Sequence, residues 1–279
     1  MSDVLDNCIW DAPLPISISL DGNLLNGKSF KLIIQRNSYL YLKLSTIWDF
    51  FYPNSKPQIS SIWFEYKSTA IDWKYPIGVI YDYLNKDIIE FELILHSSNY
   101  PSSLLPIPIS SINDYNFIER FWLNQIKEAC YILNGSSNTL MSMSVNDTIN
   151  FYKCATTGNG IGFNEYFNKL INDNNRNGNC NGIGNGNGNG NGNGNGNQNQ
   201  NQNLSASANT HANGCIPIII HHGEEPIKRP RILRNDNLFI GDLFDVCIVQ
   251  GIKIPHNAPI WSIYSKFKSI DGFLHISTL

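Results

Sequence analysis

Alternating apolar and polar residues near the start of the chain predict a small sheet packed on a helix. Pro15–Leu20 has an aliphatic residue at every second position, which is typical of a half-buried strand. Turn residues follow, and Phe30–Arg36 predicts the returning strand of a hairpin. Leu40–Phe51 changes to helical spacing. The remaining elements predicted in this segment are strands at Ser61–Tyr66, Ala70–Tyr75 and Glu90–His96, and a short helical turn over Pro76–Leu84.

The middle segment, from Ser111 to Asn172, has helical periodicity. Its first helix carries one apolar stripe formed by Ile118, Phe121, Trp122, Ile126, Ala129 and Leu133. Ser111–Asp114 resembles a capping box, and Asn134-Gly135 fits a helix C-terminus. Further helices are predicted near Asn146–Cys154 and Phe163–Ile171.

A tract of Asn-Gly and Asn-Gln repeats occupies residues 173–214. It has almost no apolar residues to bury, so burial cannot offset the entropy cost of ordering it. We therefore predict a disordered low-complexity linker. Its glycines do not form a phosphate-binding loop, because no Lys-Ser/Thr pair follows them.

The last segment repeats the pattern of the first. Strands are predicted at Ile216–Ile220, Pro226–Leu233 and Phe273–Leu279, and a helix at Asn237–Val249. Gly251–Ser269 shows no assignable pattern. The order of elements in both segments is that of a ubiquitin-like β-grasp, although other small α+β folds share parts of it.

These patterns predict an α+β protein with two ubiquitin-like (β-grasp) domains flanking a helix-rich domain. The predicted boundaries are 8–100 for the first ubiquitin-like domain, 111–172 for the helix-rich domain, 173–214 for the linker and 215–279 for the second ubiquitin-like domain. A chain of 279 residues agrees with two or three such units.

Composition narrows the classes of function. A formal net charge of −3 with only 15% charged residues gives no general attraction to nucleic acid. The first residues lack the features of a secretory signal, and no stretch has the ~20 apolar residues of a membrane-spanning helix. The six cysteines are scattered without a CxxC pair, so we expect reduced thiols, no metal site and no cofactor.

Lys127 is the candidate for chemistry on the first predicted helix of the middle segment. At ~100° per residue it lies on the side opposite Ile118, away from the centre of the apolar stripe. Its neighbours on that face are Arg120, Asn124 and Tyr131. An amine that attacks a thioester must be accessible and held on a rigid element. The same position fits an ordinary solvated lysine, and geometry alone does not separate the two interpretations.

Five short motifs occur in a fixed order across both sheet-forming segments and the helix between them. They are Arg36-Asn37-Ser38-Tyr39-Leu40, Trp63-Phe64-Glu65-Tyr66, Trp73-Lys74-Tyr75-Pro76-Ile77-Gly78, Ile126-Lys127-Glu128-Ala129 and Phe273-Leu274-His275-Ile276-Ser277. Together they resemble the autophagy protein 5 family. The resemblance implies two ubiquitin-like domains that bracket a helix-rich domain.

The resemblance also implies a function. Lys127 would form an isopeptide bond with the ubiquitin-like modifier autophagy protein 12, and the conjugate would bind the coiled-coil protein autophagy protein 16. The complex would act like an E3 ligase, promoting transfer of autophagy protein 8 from its E2 enzyme to phosphatidylethanolamine on the autophagosome membrane. The chain itself would be non-catalytic and cytoplasmic, with transient residence on the preautophagosomal membrane. Arg36 would lie in the groove for the coiled-coil helix; the alternative is a strand-end arginine in water.

The sequence departs from the family pattern at three places. Cys130 stands where an acidic residue is usual, the repeat tract is an insertion, and Lys253–Trp261 matches only loosely. In some lineages of the family the modifier binds without the covalent bond. A chain that ends in Leu279, directly after a predicted strand, is expected to be the acceptor and not the activated modifier.

Two other functions remain open at this point. One is a non-covalent interaction adaptor with ubiquitin-like domains. The other is a cysteine-dependent transferase built on Cys130 or Cys154, which would need a histidine base, although the six histidines belong to no recognisable nucleophile motif. The basic run Ile227–Arg234 reads as the solvent face of an edge strand, with contact to an anionic membrane as the second interpretation and nucleic acid as a third.

Overall fold

The computed structural model describes most of the chain outside the repeat tract. The described residues are 10, 12–22, 27–55, 61–84, 90–105, 116–171, 214–223, 227–234 and 237–278. Apart from Gly214, the predicted linker lies outside the described residues, as does the predicted capping box Ser111–Asp114.

The first domain is a five-stranded mixed sheet with two helices. Its elements are β1 (Pro13–Leu20), β2 (Ser29–Gln35), a 3₁₀ turn (Leu40–Lys43), α1 (Leu44–Phe51), β3 (Trp63–Tyr66), β4 (Thr69–Ala70), α2 (Ile77–Leu84) and β5 (Phe91–His96). The strand order is β2-β1-β5-β3-β4, with β1 and β5 parallel at the centre. The alternation in β1 buries Leu14, Ile16 and Ile18 in the core that α1 also enters, as the period of two predicts.

One predicted strand of this domain is too long. Ala70–Tyr75 was expected to be extended, but β4 ends at Ala70. The backbone turns at Asp72, whose carboxylate accepts a hydrogen bond from the backbone N–H of Lys74 at 3.1 Å. Short Asx turns of this kind compete with strand pairing.

The middle of the chain is helical, as predicted. It forms α3 (Asn116–Asn134), α4 (Asn138–Met141), α5 (Val145–Thr156) and α6 (Gly160–Ile171). α3 ends where the sequence indicated, since Gly135 has a φ of +71°, which glycine adopts without steric cost. Ser144 caps the N-terminus of α5, and its hydroxyl accepts a hydrogen bond from the Asp147 N–H at 3.1 Å.

The second domain repeats the first in shortened form. Its elements are β6 (Ile218–His221), a 3₁₀ turn (Ile240–Asp242), β7 (Cys247–Val249), β8 (Ile252–Lys253), α7 (Ile260–Phe267) and β9 (Leu274–Thr278). The order β6-β9-β7-β8, with β6 and β9 parallel, corresponds to β1-β5-β3-β4 of the first sheet.

The predicted helix over Asn237–Val249 is wrong. Only the 3₁₀ turn at Ile240–Asp242 is helical, and Cys247–Val249 forms a strand that pairs with β9. The apolar spacing in this run fits two structures equally well: one helix, or a turn followed by a strand. The pairing with β9 selects the second. The helix that corresponds to α2 is α7, in the stretch that had no assignable pattern.

The predicted strand Pro226–Leu233 is reduced to isolated bridges. Ile220 and Lys228 exchange two backbone hydrogen bonds, and Cys215 is bridged to Leu233. Pro217 and Pro230 lack the N–H groups that a continuous ladder would need, so the segment follows β6 without forming a strand.

The architecture confirms the predicted α+β class, with two ubiquitin-like domains flanking a helix-rich domain. One hydrophobic core runs through all three parts, from Ile18 in β1 through Trp122 in α3 to Ile276 in β9. Within the described residues, no helix combines the length and apolarity that crossing a bilayer requires. Because the core is shared, the two sheets hold α3 between them.

Candidate functional site

α3 is fixed on several sides. Its buried Trp122 donates a hydrogen bond from Nε1 to the carbonyl of Ile270, 2.6 Å away, just before β9. Asn134 at its end donates to the carbonyl of Leu170 in α6 at 2.7 Å. Gly272 lies so close that a Cβ there would be 2.9 Å from the Ala129 side chain. A helix packed this tightly presents its remaining face as a rigid surface.

Lys127 lies on that remaining face. Its side chain is partly exposed, and among the described residues it makes no hydrogen bond or ion pair. The adjacent carboxylate, Glu128, is bonded instead to Arg229 of the second domain. Arg120, Asn124 and Tyr131, the neighbours expected from helical spacing, are all exposed. Within the part of the chain that the structure describes, the amine of this partly exposed side chain is therefore uncommitted.

Arg36 is buried, with only 8% of its surface exposed. The interpretation as a strand-end arginine in water is wrong. Its guanidinium forms an ion pair with Asp82 of α2 and donates to the Gly78 carbonyl at 3.1 Å. The other Asp82 oxygen accepts the Gly251 N–H of the second domain at 2.9 Å. Burial raises the pKa of Asp82, while Arg36 and the Gly251 N–H oppose that rise.

Two glycines make room for Arg36. A Cβ on Gly78 would lie 2.6 Å from the Cβ of Arg36, and a Cβ on Gly251 would lie 2.9 Å from its Cζ. Gly251 also has a φ of +78°. Asn37 adds a second link, since its side-chain oxygen accepts hydrogen bonds from Ser269 Oγ at 2.6 Å and the Ile270 N–H at 3.1 Å. Arg36 and Asn37 thus join the first domain to the second.

Sequence reasoning missed the partners of Arg36. Asp82 is a single acid in the otherwise apolar helix IGVIYDYL, and that contrast was the available signal. An acid that a packed helix buries needs a cation or several N–H donors. Arg36 supplies the cation from 46 positions earlier in the chain, and Gly251 of the second domain supplies an N–H from 169 positions later.

Burial opposes reactivity of the two candidate thiols, Cys130 and Cys154. Cys130 is buried, and burial raises the pKa of its thiol to about 12, which opposes formation of the reactive thiolate. Cys154 contacts the Asn159 amide at 3.8 Å, and burial raises its pKa as well. The structure therefore favours a packing role for Cys130.

The chain is similar to known proteins along most of its length. Three family models match the chain: "Autophagy protein ATG5, UblA domain" at residues 9–97, "Autophagy protein ATG5, alpha-helical bundle region" at 116–173, and "Autophagy protein ATG5, UblB domain" at 197–278. Autophagy protein 5 of Pichia angusta is 30% identical to the chain, and the match covers 96% of the chain and 94% of that protein.

The chain belongs to the autophagy protein 5 family. Autophagy protein 5 of Saccharomyces cerevisiae is 28% identical, over 99% of the chain and 95% of that protein. The crystal structure of Kluyveromyces marxianus Atg5 superposes with a TM-score of 0.76 at 24% identity, covering 99% of the chain and 100% of that structure. This likeness supports the fold, and the family membership places the chain in autophagy. The domain boundaries given above stay a prediction.

In this autophagy protein 5 family member, a buried histidine pair of the second ubiquitin-like domain packs against two tyrosines of the first. His221 Nε2 lies 2.9 Å from His275 Nδ1, and His275 Nε2 lies 2.8 Å from an Asp271 oxygen. The ring of Tyr83 in α2 stacks on His221, and Tyr75 meets both imidazoles edge-on. Burial, and then His275, lower the pKa of His221 to about 2.

The buried His221 predicts a loss of stability in mild acid. The unfolded chain binds a proton at its ordinary pKa of ~6.5, whereas the folded chain does not. The free energy of unfolding should therefore fall as the pH drops below that value, by up to ~1.4 kcal/mol per pH unit from this group. Denaturant midpoints measured between neutral and mildly acidic pH would show the slope.

The neighbouring histidine provides the control for this measurement. His222, the residue after the strand, is exposed, so a His222→Gln variant should keep the wild-type pH dependence. A His221→Gln variant should show a flatter one. Equal slopes in the two variants would contradict the assignment.

Proposed function

We propose that the chain is a non-catalytic acceptor scaffold of autophagy in which Lys127 is joined by an isopeptide bond to the ubiquitin-like modifier autophagy protein 12. The observation that carries the proposal is the amine of Lys127, partly exposed and without a partner among the described residues, on a helix fixed by the second domain and by α6. To accept the modifier, the amine needs only to be accessible and correctly oriented, and a packed helix provides both. The chain contributes the amine, and the conjugating enzyme contributes the thioester.

The conjugate is proposed to bind the coiled-coil protein autophagy protein 16 and to act like an E3 ligase in the lipidation of autophagy protein 8 on phosphatidylethanolamine. Its mechanism is positional: it brings the E2 thioester to the lipid amine. We place the complex in the cytoplasm, with transient recruitment to the preautophagosomal membrane. Membership of a family of autophagy proteins supports the proposed role in autophagy. The burial of Cys130 supports a positional mechanism, because it opposes formation of a thiolate nucleophile there.

Arg36 is proposed to contribute to the site for the coiled-coil partner. With 8% of its surface exposed, it can offer only a small contact area. Its larger contribution is to hold α2 and the turn at Gly251 together through Asp82. In this proposal, the relative position of the two elements that receive the coiled-coil partner depends on that link.

Site mapping tests the proposal directly. The chain is incubated with the modifier, its activating and conjugating enzymes and ATP, and the product is digested and sequenced by mass spectrometry. We expect the modifier remnant on Lys127 and not on exposed Lys153 or Lys253. A remnant on one of those lysines would contradict the assignment of Lys127, and stable binding without any remnant would favour a non-covalent adaptor.

A further inference from the structure

β2 forms one edge of the first sheet, and among the described residues no strand pairs with its outer side. One hydrogen bond shows which of its backbone groups point outward. The Arg36 N–H, directly after β2, donates to the Ala12 carbonyl, directly before β1, at 3.1 Å. Because hydrogen-bonded pairs alternate along an antiparallel ladder, the N–H and C=O groups of Lys31, Ile33 and Gln35 point away from β1.

Two prolines in β1 agree with this assignment. Pro13 lies opposite Gln35, and Pro15 lies opposite Ile33. A proline has no N–H to donate, so it fits an antiparallel pair at the positions where the ladder needs no donor. The outward groups of Ile33 and Gln35 make no backbone hydrogen bond with any other described residue.

The other sheet edges in the described part of the chain are short or covered. β4 and β8 have only two residues each. β6 is longer, but Ile220 exchanges two hydrogen bonds with Lys228 on its outer side. β2 has seven residues in an uninterrupted register, without a proline or a bulge. Proteins usually close an edge of this length, because it offers unpaired groups to an extended chain, and they leave it open where a peptide strand is to be added.

Apolar side chains lie on both faces of β2. Phe30 and Leu32 are half-buried on the helix side, where the centre of the Phe30 ring lies 4.9 Å from that of Phe50 in α1. These three residues form an apolar shelf along the edge. On the opposite face, Ile33 is 75% exposed. A strand added to β2 would cover this apolar surface as well as gain main-chain hydrogen bonds.

The cations at this edge favour an acidic segment. Lys28 is exposed just before β2, and its amine donates to the Phe50 carbonyl at 3.0 Å. Lys31 is exposed on the strand itself, and its amine lies 3.3 Å from a Glu90 oxygen in a surface pair. An ammonium carries three N–H donors, so each amine retains donors for a carboxylate of the added strand.

We propose that the outer edge of β2 is a strand-addition site for an extended, acidic segment of a partner protein. The segment pairs its backbone with the outward N–H and C=O groups of Lys31, Ile33 and Gln35. Its alternate side chains are apolar and lie on the apolar shelf, and a carboxylate near one end binds the lysines. The site does not involve Lys127, so its failure would leave the proposed function untouched, and the reverse also holds.

Peptide display tests the site with a defined probe. A phage library of random linear octapeptides is selected on the wild-type chain and counter-selected on an Ile33→Pro variant. Proline at this position removes one outward N–H and leaves the ladder to β1 intact, so the variant should keep the wild-type thermal midpoint within a few degrees. We expect enriched peptides with alternating apolar residues and at least one acidic residue, which bind Ile33→Pro at least about tenfold more weakly than wild type.

An Ile33→Thr variant is the matched control, because it loses the aliphatic side chain but keeps the N–H. It should bind the selected peptides more tightly than Ile33→Pro does. If no enriched peptide distinguishes wild type from Ile33→Pro, the strand-addition site is wrong. A concentration-dependent dimer in sedimentation, abolished by Ile33→Pro, would assign the edge to a second copy of the chain and overturn the proposal of a partner segment.

Amide hydrogen exchange, measured by NMR on the wild-type chain, does not depend on whether the proline variant folds. The Ile33 and Gln35 amides should exchange rapidly in the free chain and slowly when a selected peptide is bound. The Leu32 and Ile34 amides, which point toward β1, should be protected in both states. Protection of Ile33 in the free chain would show that the edge is already covered, and unchanged exchange with bound peptide would place the peptide elsewhere; either result would overturn the proposal.

Discussion

Replacing Lys127 with arginine is expected to abolish the conjugate with the modifier while the chain stays folded. Arginine keeps the positive charge and most of the length, but its guanidinium stays protonated and does not attack a thioester. The side chain is partly exposed and has no partner among the described residues, so the free energy of unfolding should change by less than ~0.5 kcal/mol. Immunoblots of cells carrying the variant should lack the slower-migrating band seen with wild type.

A second lysine-to-arginine substitution shows whether the loss of the conjugate is specific to position 127. Lys153 is exposed on α5, and Lys153→Arg should keep the band at wild-type intensity. Persistence of the band in Lys127→Arg would show that another amine is the acceptor. If wild type forms no band while its partners still co-purify, the non-covalent adaptor becomes the better description.

Replacing Asp82 with alanine is expected to cause the largest loss of stability among the polar substitutions considered. The variant leaves the Arg36 guanidinium buried without its counter-charge and removes the acceptor of the Gly251 N–H. Breaking a buried pair on one side typically costs ~3–5 kcal/mol. Denaturant unfolding followed by tryptophan fluorescence should show a large decrease in the midpoint.

Two further variants show whether the charge pair is responsible. Arg36→Met/Asp82→Leu replaces both charges with apolar groups of similar size, and most of the stability should return because no uncompensated charge remains. Glu90→Ala removes the partner of Lys31 in a surface pair and should change stability by only ~0–1 kcal/mol. A loss in Asp82→Ala no larger than that in Glu90→Ala would contradict the assigned role.

The double variant also tests the proposed role of Arg36 in partner binding. If Arg36 contacts the coiled-coil partner directly, the Arg36→Met/Asp82→Leu variant should bind that partner more weakly than wild type even though its stability has recovered. Recovery of both stability and binding would instead show that Arg36 acts through the shape of the groove.

Elements with strong local patterns could be predicted from the sequence. The period of two in Pro15–Leu20 and the apolar stripe of α3 each match one secondary structure, because burial on one face requires that spacing. Gly135 marks the end of α3 for the same local reason, its positive φ. The repeated order of strands and helices then indicated two β-grasp domains, and the five motifs indicated the family.

Elements that depend on distant partners could not be predicted this way. Cys247–Val249 is a strand because β9 offers it backbone partners, whereas its apolar spacing alone also fits a helix. Arg36 was predicted as a groove residue or a solvated arginine, and its burial depends on Asp82 and Gly251, which lie far away in the chain. No local pattern records such a pairing.

The sequence by itself determined the class of fold, the helix that carries Lys127 and the side of that helix on which the amine lies. These follow from short-range periodicity, which each segment carries within its own residues. Only the tertiary structure decided that Glu128 is engaged by Arg229 and that His221 meets His275 in the interior. Such contacts join residues that lie far apart in the chain, so they exist only once the shared core has brought those residues together.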